Sequence, residues 1–187
     1  MGKVILGVTI SLDGFAEDQN GNVGALYPDL EALDNTKVFR ESQRNTGSVV
    51  MAWKEFAMAE DPDWVVGYEY QVPIFVFGKE APKKHPKETD TLKFTFVKDI
   101  RSAVQEAKAA AGKRDVTIIG SASTTQQCLN AELADELQID IIPVFLRSGF
   151  RPFEDIGATI RLEKIKQSWQ TMELPAGRTH LRFRLIK

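Results

Sequence analysis

Apolar residues along the chain gather into short runs broken by polar stretches and by segments of helical period. Residues 3–10 (KVILGVTI), 48–53 (SVVMAW), 72–77 (VPIFVF), 115–120 (DVTIIG) and 137–145 (LQIDIIPVF) are nearly continuous and rich in β-branched or aromatic side chains. Such runs predict strands covered on both faces, and 93–97 (KFTFV) alternates as a further short strand. Between them the period lengthens. Leu30, Leu33, Val38 and Phe39 predict a helix from about Pro28 to Arg44, ended by Gly47. Asp99 is placed to cap a second helix running to about Ala111, with Ile100, Val104 and Ala107 inward and Gly112 past its end. Ser123 with Gln126 fits a capping box for a third helix over 124–133. Turn residues mark loops at 11–28, 79–91 and 147–153, and Pro175-Ala176-Gly177 sits between two β-like runs, 159–171 and 178–186.

Strands alternating with helices, then a hairpin, predict a three-layer α/β fold. Its mostly parallel central sheet carries helices on both faces and a C-terminal antiparallel hairpin, all in a single domain over residues 1–187. Ligands of such sheets bind at the carboxyl ends of the strands. That directs attention to residues 11–24, 51–58, 78–83, 120–124 and 146–153.

Composition narrows the function classes. Apolar residues make up 43% of the 187, enough for a packed core, and the net charge of -2 offers no basic excess for nucleic acid. Cys128 is the only cysteine and His85 and His180 the only histidines, so neither a disulfide nor a zinc site of the common kind is expected. No apolar stretch approaches ~20 residues and no signal peptide is evident, so the expectation is a cytoplasmic protein without a membrane partner.

Few residues carry obvious chemistry. Gly120-Ser121-Ala122-Ser123 joins a strand to a helix N-terminus, where backbone N–H groups either hold an anion such as a phosphate or simply turn the chain. Neither the dinucleotide nor the Walker fingerprint is present. Asp13, after the first strand, either meets a ribose hydroxyl or substrate amine or bonds its own backbone, while Glu17 and Asp18 are expected on a solvated loop. Glu136 either points into a cleft or belongs to a solvated connection. Trp53, Phe56, Trp64, Tyr68 and Tyr70 stack on a planar ring, or form core, or meet a partner subunit. Cys128 reads as a small packed residue, and both histidines as surface groups without a role. No catalytic constellation and no metal cluster emerges.

The motifs SLDGFAED, SVVMAWKEF, VTIIGSAS and ADELQIDIIPVFLRSGFRPF, in that order over about 150 residues, resemble the dihydrofolate reductase-like superfamily. They are most similar to the C-terminal reductase domain of the bifunctional riboflavin-biosynthesis deaminase/reductase and its small stand-alone relatives. The resemblance implies a homodimer that binds NADPH and delivers hydride to a small-molecule substrate, heterocyclic or phosphoribosyl, with the chemistry supplied by the cofactor. It implies that Ser11, Asp13 and Gly14 lie beside the nicotinamide and substrate, with Glu136 as a further substrate contact. It also implies cofactor contacts at Met51, Ala52, Trp53 and Lys54 after the second strand, at Gly78 after the third, and at Gly120, Ser121, Ala122 and Ser123. No catalytic side chain and no metal ligand is implied. The chain departs from the family where Ala52-Trp53-Lys54-Glu55 replaces the common Gly-Arg-x-Thr, where Ser121 replaces a glycine, and where Arg147 replaces another. An indole cannot pair with phosphate as a guanidinium does, a loss worth ~1.5–3 kcal/mol per charged contact. The alternatives are a ligand-binding dimer that keeps the fold with a weakened NADPH site and, further off, a dihydrofolate reductase using Asp29 or Glu31.

Overall fold

The computed structural model describes residues 2–58, 61–78, 82–165 and 174–186. Its strands are β1 (Val4–Ser11), β2 (Thr46–Ala52), β3 (Ile74–Phe77), β4 (Phe94–Val97), β5 (Asp115–Gly120), β6 (Glu136–Ile142), β7 (Arg161–Lys164) and β8 (Thr179–Ile186). The helices are α1 (Leu30–Leu33), α2 (Lys37–Asn45), α3 (Trp53–Phe56), α4 (Ile100–Ala111) and α5 (Ala122–Asn130). This is an α/β fold with mostly parallel strands and a C-terminal antiparallel hairpin, as the alternation of apolar runs and helical segments predicts.

The chain forms two compact units, Met1–Val4 with Gln43–Ile119 and Ile5–Ser42 with Gly120–Lys187. In the first, β2 pairs in parallel with both β3 and β5, and β3 with β4. Val49, Met51, Ile74, Val76 and Leu92 are its almost fully buried centre, with Phe56 and Tyr70 packed among them. Asp99 caps α4 as expected, accepting the Ser102 N–H at 3.0 Å. In the second unit β1 pairs with β6 in parallel, and β8 lies antiparallel to both β6 and β7. β1 is buried along almost its whole length, whereas every residue of β7 is exposed, as on an edge strand.

Several boundaries move for local reasons. The helix expected over 28–44 is two helices, because the Thr36 hydroxyl accepts the Phe39 N–H at 3.2 Å and starts a new one. Gly47 lies inside β2, and Trp53 opens the single turn of α3. The cap of α5 is Ser121, not Ser123: its hydroxyl accepts the Thr124 N–H at 3.3 Å, while Gln126 reaches the Arg151 carbonyl. β6 stops before Pro143, which lacks the N–H a ladder needs. Of the run expected over 159–171, the described part supplies β7, and residues 166–171 lie outside the described residues.

Candidate functional site

At the carboxyl ends of β1 and β6, which pair from Ile5↔Glu136 to Ser11↔Ile142, the two exit loops are tied into one knot. The buried Ser11 hydroxyl donates to the Asp13 carboxylate at 2.6 Å and accepts the Phe15 N–H at 3.0 Å. Asp13 also accepts the Leu146 N–H at 3.1 Å and the Arg147 N–H at 2.8 Å, and the Leu12 N–H meets the Val144 carbonyl at 2.9 Å. Partial burial opposes the Asp13 charge, but the bonds from Ser11, Arg147 and Leu146 outweigh it and hold the carboxyl below its ordinary value of 3.8. Asp13 is thus a clamp between loops, with little acceptor capacity left over. Gly14 adopts φ +87°, and Arg151 lies beside it with its guanidinium 4.0 Å from the Phe15 ring centre. Leu12, Phe145 and Phe150 on these loops are all at least half exposed. Arg147 is exposed at φ +67°, a conformation suited to the glycine it replaces.

The turn from β5 into α5 belongs to the same unit. Gly120 permits a close approach there: a Cβ on it would lie 2.6 Å from the Thr125 hydroxyl and 2.7 Å from the Gly7 carbonyl. Ser121 is almost buried and serves as the cap, while Ser123 is exposed and accepts a bond from Gln127. The Ala122 N–H is not open to a ligand. It donates to the Glu17 carboxylate at 3.2 Å. Glu17, expected on a solvated surface, is only 2% exposed. Its carbonyl accepts the Phe150 N–H at 3.0 Å, and the Ala16 N–H meets the Phe150 carbonyl at 2.9 Å. Nothing in the spacing of acidic residues points to this partner across 105 positions. The available signal is the apolar pair Phe15-Ala16, which returns the loop to the core and draws Glu17 with it.

Glu136 is not brought to this end of the strands. It starts β6, six residues before Ile142, or about 20 Å at strand rise. It is 1% exposed and ion-paired with Arg182, so it is neither a cleft residue nor part of a solvated connection. A second buried network lies nearby in sequence. Arg178 grips Asp29 with Nε at 3.0 Å and Nη2 at 2.6 Å, and His180 bonds Asp140 at 2.7 Å. Thus Asp29, one of the two acids a dihydrofolate reductase reading could use, is occupied by an internal arginine, while Glu31, the other, is exposed; the His180 side chain is a buried partner, not a surface group.

In the first unit, β2 and β3 run in register from Val49↔Ile74 to Ala52↔Phe77. Met51 is buried in the core and Lys54 is exposed. Trp53 packs against Phe56 and Phe96 at ring-centre distances of 5.5 and 6.2 Å, which makes this aromatic group core packing. The Ala52 N–H donates to the Glu55 carboxylate at 2.8 Å. Gly78 is exposed at φ +108°, its N–H on the Val97 carbonyl. As they stand, neither Ala52 nor Ala122 fits a phosphate oxygen, because a carboxylate of the chain already takes each N–H.

A model of the RibD C-terminal domain family matches residues 2–173. The chain belongs to this family, a family of riboflavin-pathway reductases. Among curated proteins it is 26% identical to the uncharacterized protein YyaP of Bacillus subtilis (strain 168), over 87% of this chain and 86% of that one. The fold is also that of a putative riboflavin biosynthesis protein from Shewanella sp. PV-4, with TM-score 0.73, 19% identity and 99% of each chain covered. The riboflavin biosynthesis reductase Rib7 of Saccharomyces cerevisiae gives TM-score 0.59 at 13% identity, over 99% of this chain and 90% of that one.

Proposed function

We infer that the protein is a stand-alone reductase that takes hydride from NADPH and delivers it to a small heterocyclic or phosphoribosyl substrate, as a cytoplasmic homodimer. Membership of the RibD C-terminal domain family supports the reaction class. The observation that carries the reading to particular residues is the knot at Ser11, Asp13 and Gly14. It presents the exposed side chains of Leu12, Phe145 and Phe150 on loops held by internal hydrogen bonds, a surface suited to a planar ring. Glu136 is left out of the proposed contacts because Arg182 already holds it. Leu162 and Ile186, exposed on the edge hairpin, are the proposed subunit contact.

A second reading, a ligand-binding dimer with weakened NADPH affinity, is favoured by one observation: carboxylates occupy the N–H groups of Ala52 and Ala122. Titration with NADPH and NADH, followed by tryptophan fluorescence, separates the two. Saturation in the micromolar range is expected, and no binding of either nucleotide up to millimolar leaves only the second reading. Light scattering at micromolar protein is expected to give two protomers, and a strict monomer removes the dimer from both.

A further inference from the structure

The Glu17 carboxylate takes an N–H at the N-terminal turn of α5, the kind of group that elsewhere holds a phosphate oxygen. A helix N-terminus carries partial positive charge and unpaired N–H groups, so an anion placed there is stabilised whether it comes from a ligand or from the chain. Here it comes from the chain. Glu17 reaches the Ala122 N–H at 3.2 Å and is 2% exposed, so the contact is shielded from solvent. Its backbone is fixed independently of that bond. Phe150 holds the Glu17 carbonyl, and Gly149 passes so close that a Cβ there would lie 1.9 Å from the same oxygen. Beyond it the chain is closed again by Asp18, whose carboxylate accepts the N–H groups of Asn20 and Asn22 at 2.8 Å each. The backbone that carries the side chain is therefore anchored from both directions.

We propose that Glu17 is a built-in anion that closes the N-terminal turn of α5 to phosphate, and so is a specificity-determining residue of this chain. A phosphate at Ala122 has to displace a buried carboxylate and then sit against its negative charge. The ligand accepted by the second unit is one that presents no phosphate oxygen to this turn. The inference goes beyond the choice of hydride donor and holds whether or not NADPH binds.

Inorganic pyrophosphate is the probe, because it carries the anion without a nicotinamide. Its binding is read at the backbone amide of Ala122 by nitrogen-edited NMR in wild type, Glu17→Gln and Glu17→Ala. The wild-type Ala122 amide is expected not to move at millimolar pyrophosphate. Glu17→Ala, which removes both charge and acceptor, is expected to bind at that amide at least about tenfold more tightly. Glu17→Gln keeps an acceptor for the Ala122 N–H without the charge, and its affinity is expected between the two. The amides of Leu146 and Arg147, held by Asp13, report whether each variant keeps its fold. If Glu17→Ala does not fold, Glu17→Gln decides alone: a gain over wild type supports the proposal and no gain overturns it. A wild-type Ala122 amide that shifts as far and as tightly as that of a folded Glu17→Ala also overturns it. NADPH binding to wild type with pyrophosphate still excluded from Ala122 leaves this proposal standing, whereas failure of NADPH alone refutes only the hydride-donor reading.

Discussion

Two turns of the molecule, one in each unit, have the same chemistry and opposite origins. After β2, the Ala52 N–H is taken by Glu55 three residues on, an ordinary reach back from the first turn of a helix. After β5, the Ala122 N–H is taken by Glu17, 105 residues earlier in the chain. The first carboxylate is half-buried and local; the second is buried and depends on the whole SLDGFAED loop returning to the core. A local cap stabilises the turn that carries it, whereas a distant one makes the turn and the loop a single object. The two sites therefore differ in what their loss should do.

The largest effect is expected from Gly149→Ala. Its Cβ would meet the Glu17 carbonyl at 1.9 Å, at φ +143°, and neither backbone can yield without releasing the other. Overpacking and backbone strain together predict a loss of about 3 kcal/mol or more in denaturant unfolding. A cost under about 1 kcal/mol would show that the Glu17 loop is not anchored there. Next come the two carboxylates themselves. Glu17→Ala leaves a buried N–H without its partner and is expected to cost about 1–3 kcal/mol. Glu55→Ala removes a half-buried local cap and is expected to cost about 0.5–1 kcal/mol. Equal losses in urea unfolding would erase the contrast between the turns.

The same contrast separates what is legible along the chain from what is not. The strands were readable because burial on both faces leaves an unbroken apolar run, and the Asp99 cap because donor and acceptor lie three residues apart. Glu55 is readable by the same rule. Glu17, Asp29 and Glu136 were not, since an acidic residue in a polar stretch has the same signature whether it faces water or a partner many residues away. The break at Thr36 and the shift of the α5 cap from Ser123 to Ser121 were near misses. At α5 the choice follows packing, since Thr124, Thr125 and Cys128 are buried on it; at Thr36 it is local, since α2 buries no residue and the Thr36 hydroxyl itself accepts the Phe39 N–H. Asp13 lies between these cases. Its bond from the Ser11 hydroxyl is local, though to a side chain and not to its own backbone as the turn signal suggests, while its bonds to Leu146 and Arg147 depend on β1 and β6 being neighbours.

The smallest effect concerns that clamp and sharpens the comparison by adding a third carboxylate on backbone N–H groups, this one partly open to solvent. Burial works against the Asp13 charge, and the bonds from Ser11, Arg147 and Leu146 more than offset it, so its folded pKa lies below the ordinary 3.8. A depressed pKa means that the unfolded chain binds the proton first as pH falls. The clamp's contribution to stability is therefore complete above the ordinary value and is lost as pH drops through the lower, folded one. The Leu146 and Arg147 amide resonances are expected to titrate together, with a midpoint below 3.8. In Asp13→Asn the neutral amide oxygen still accepts one of the two N–H bonds, so the loops should stay joined and the acid titration should disappear from both resonances. If that titration survives the substitution, another group holds the two exit loops together and Asp13 is only a turn residue bonding its own strand.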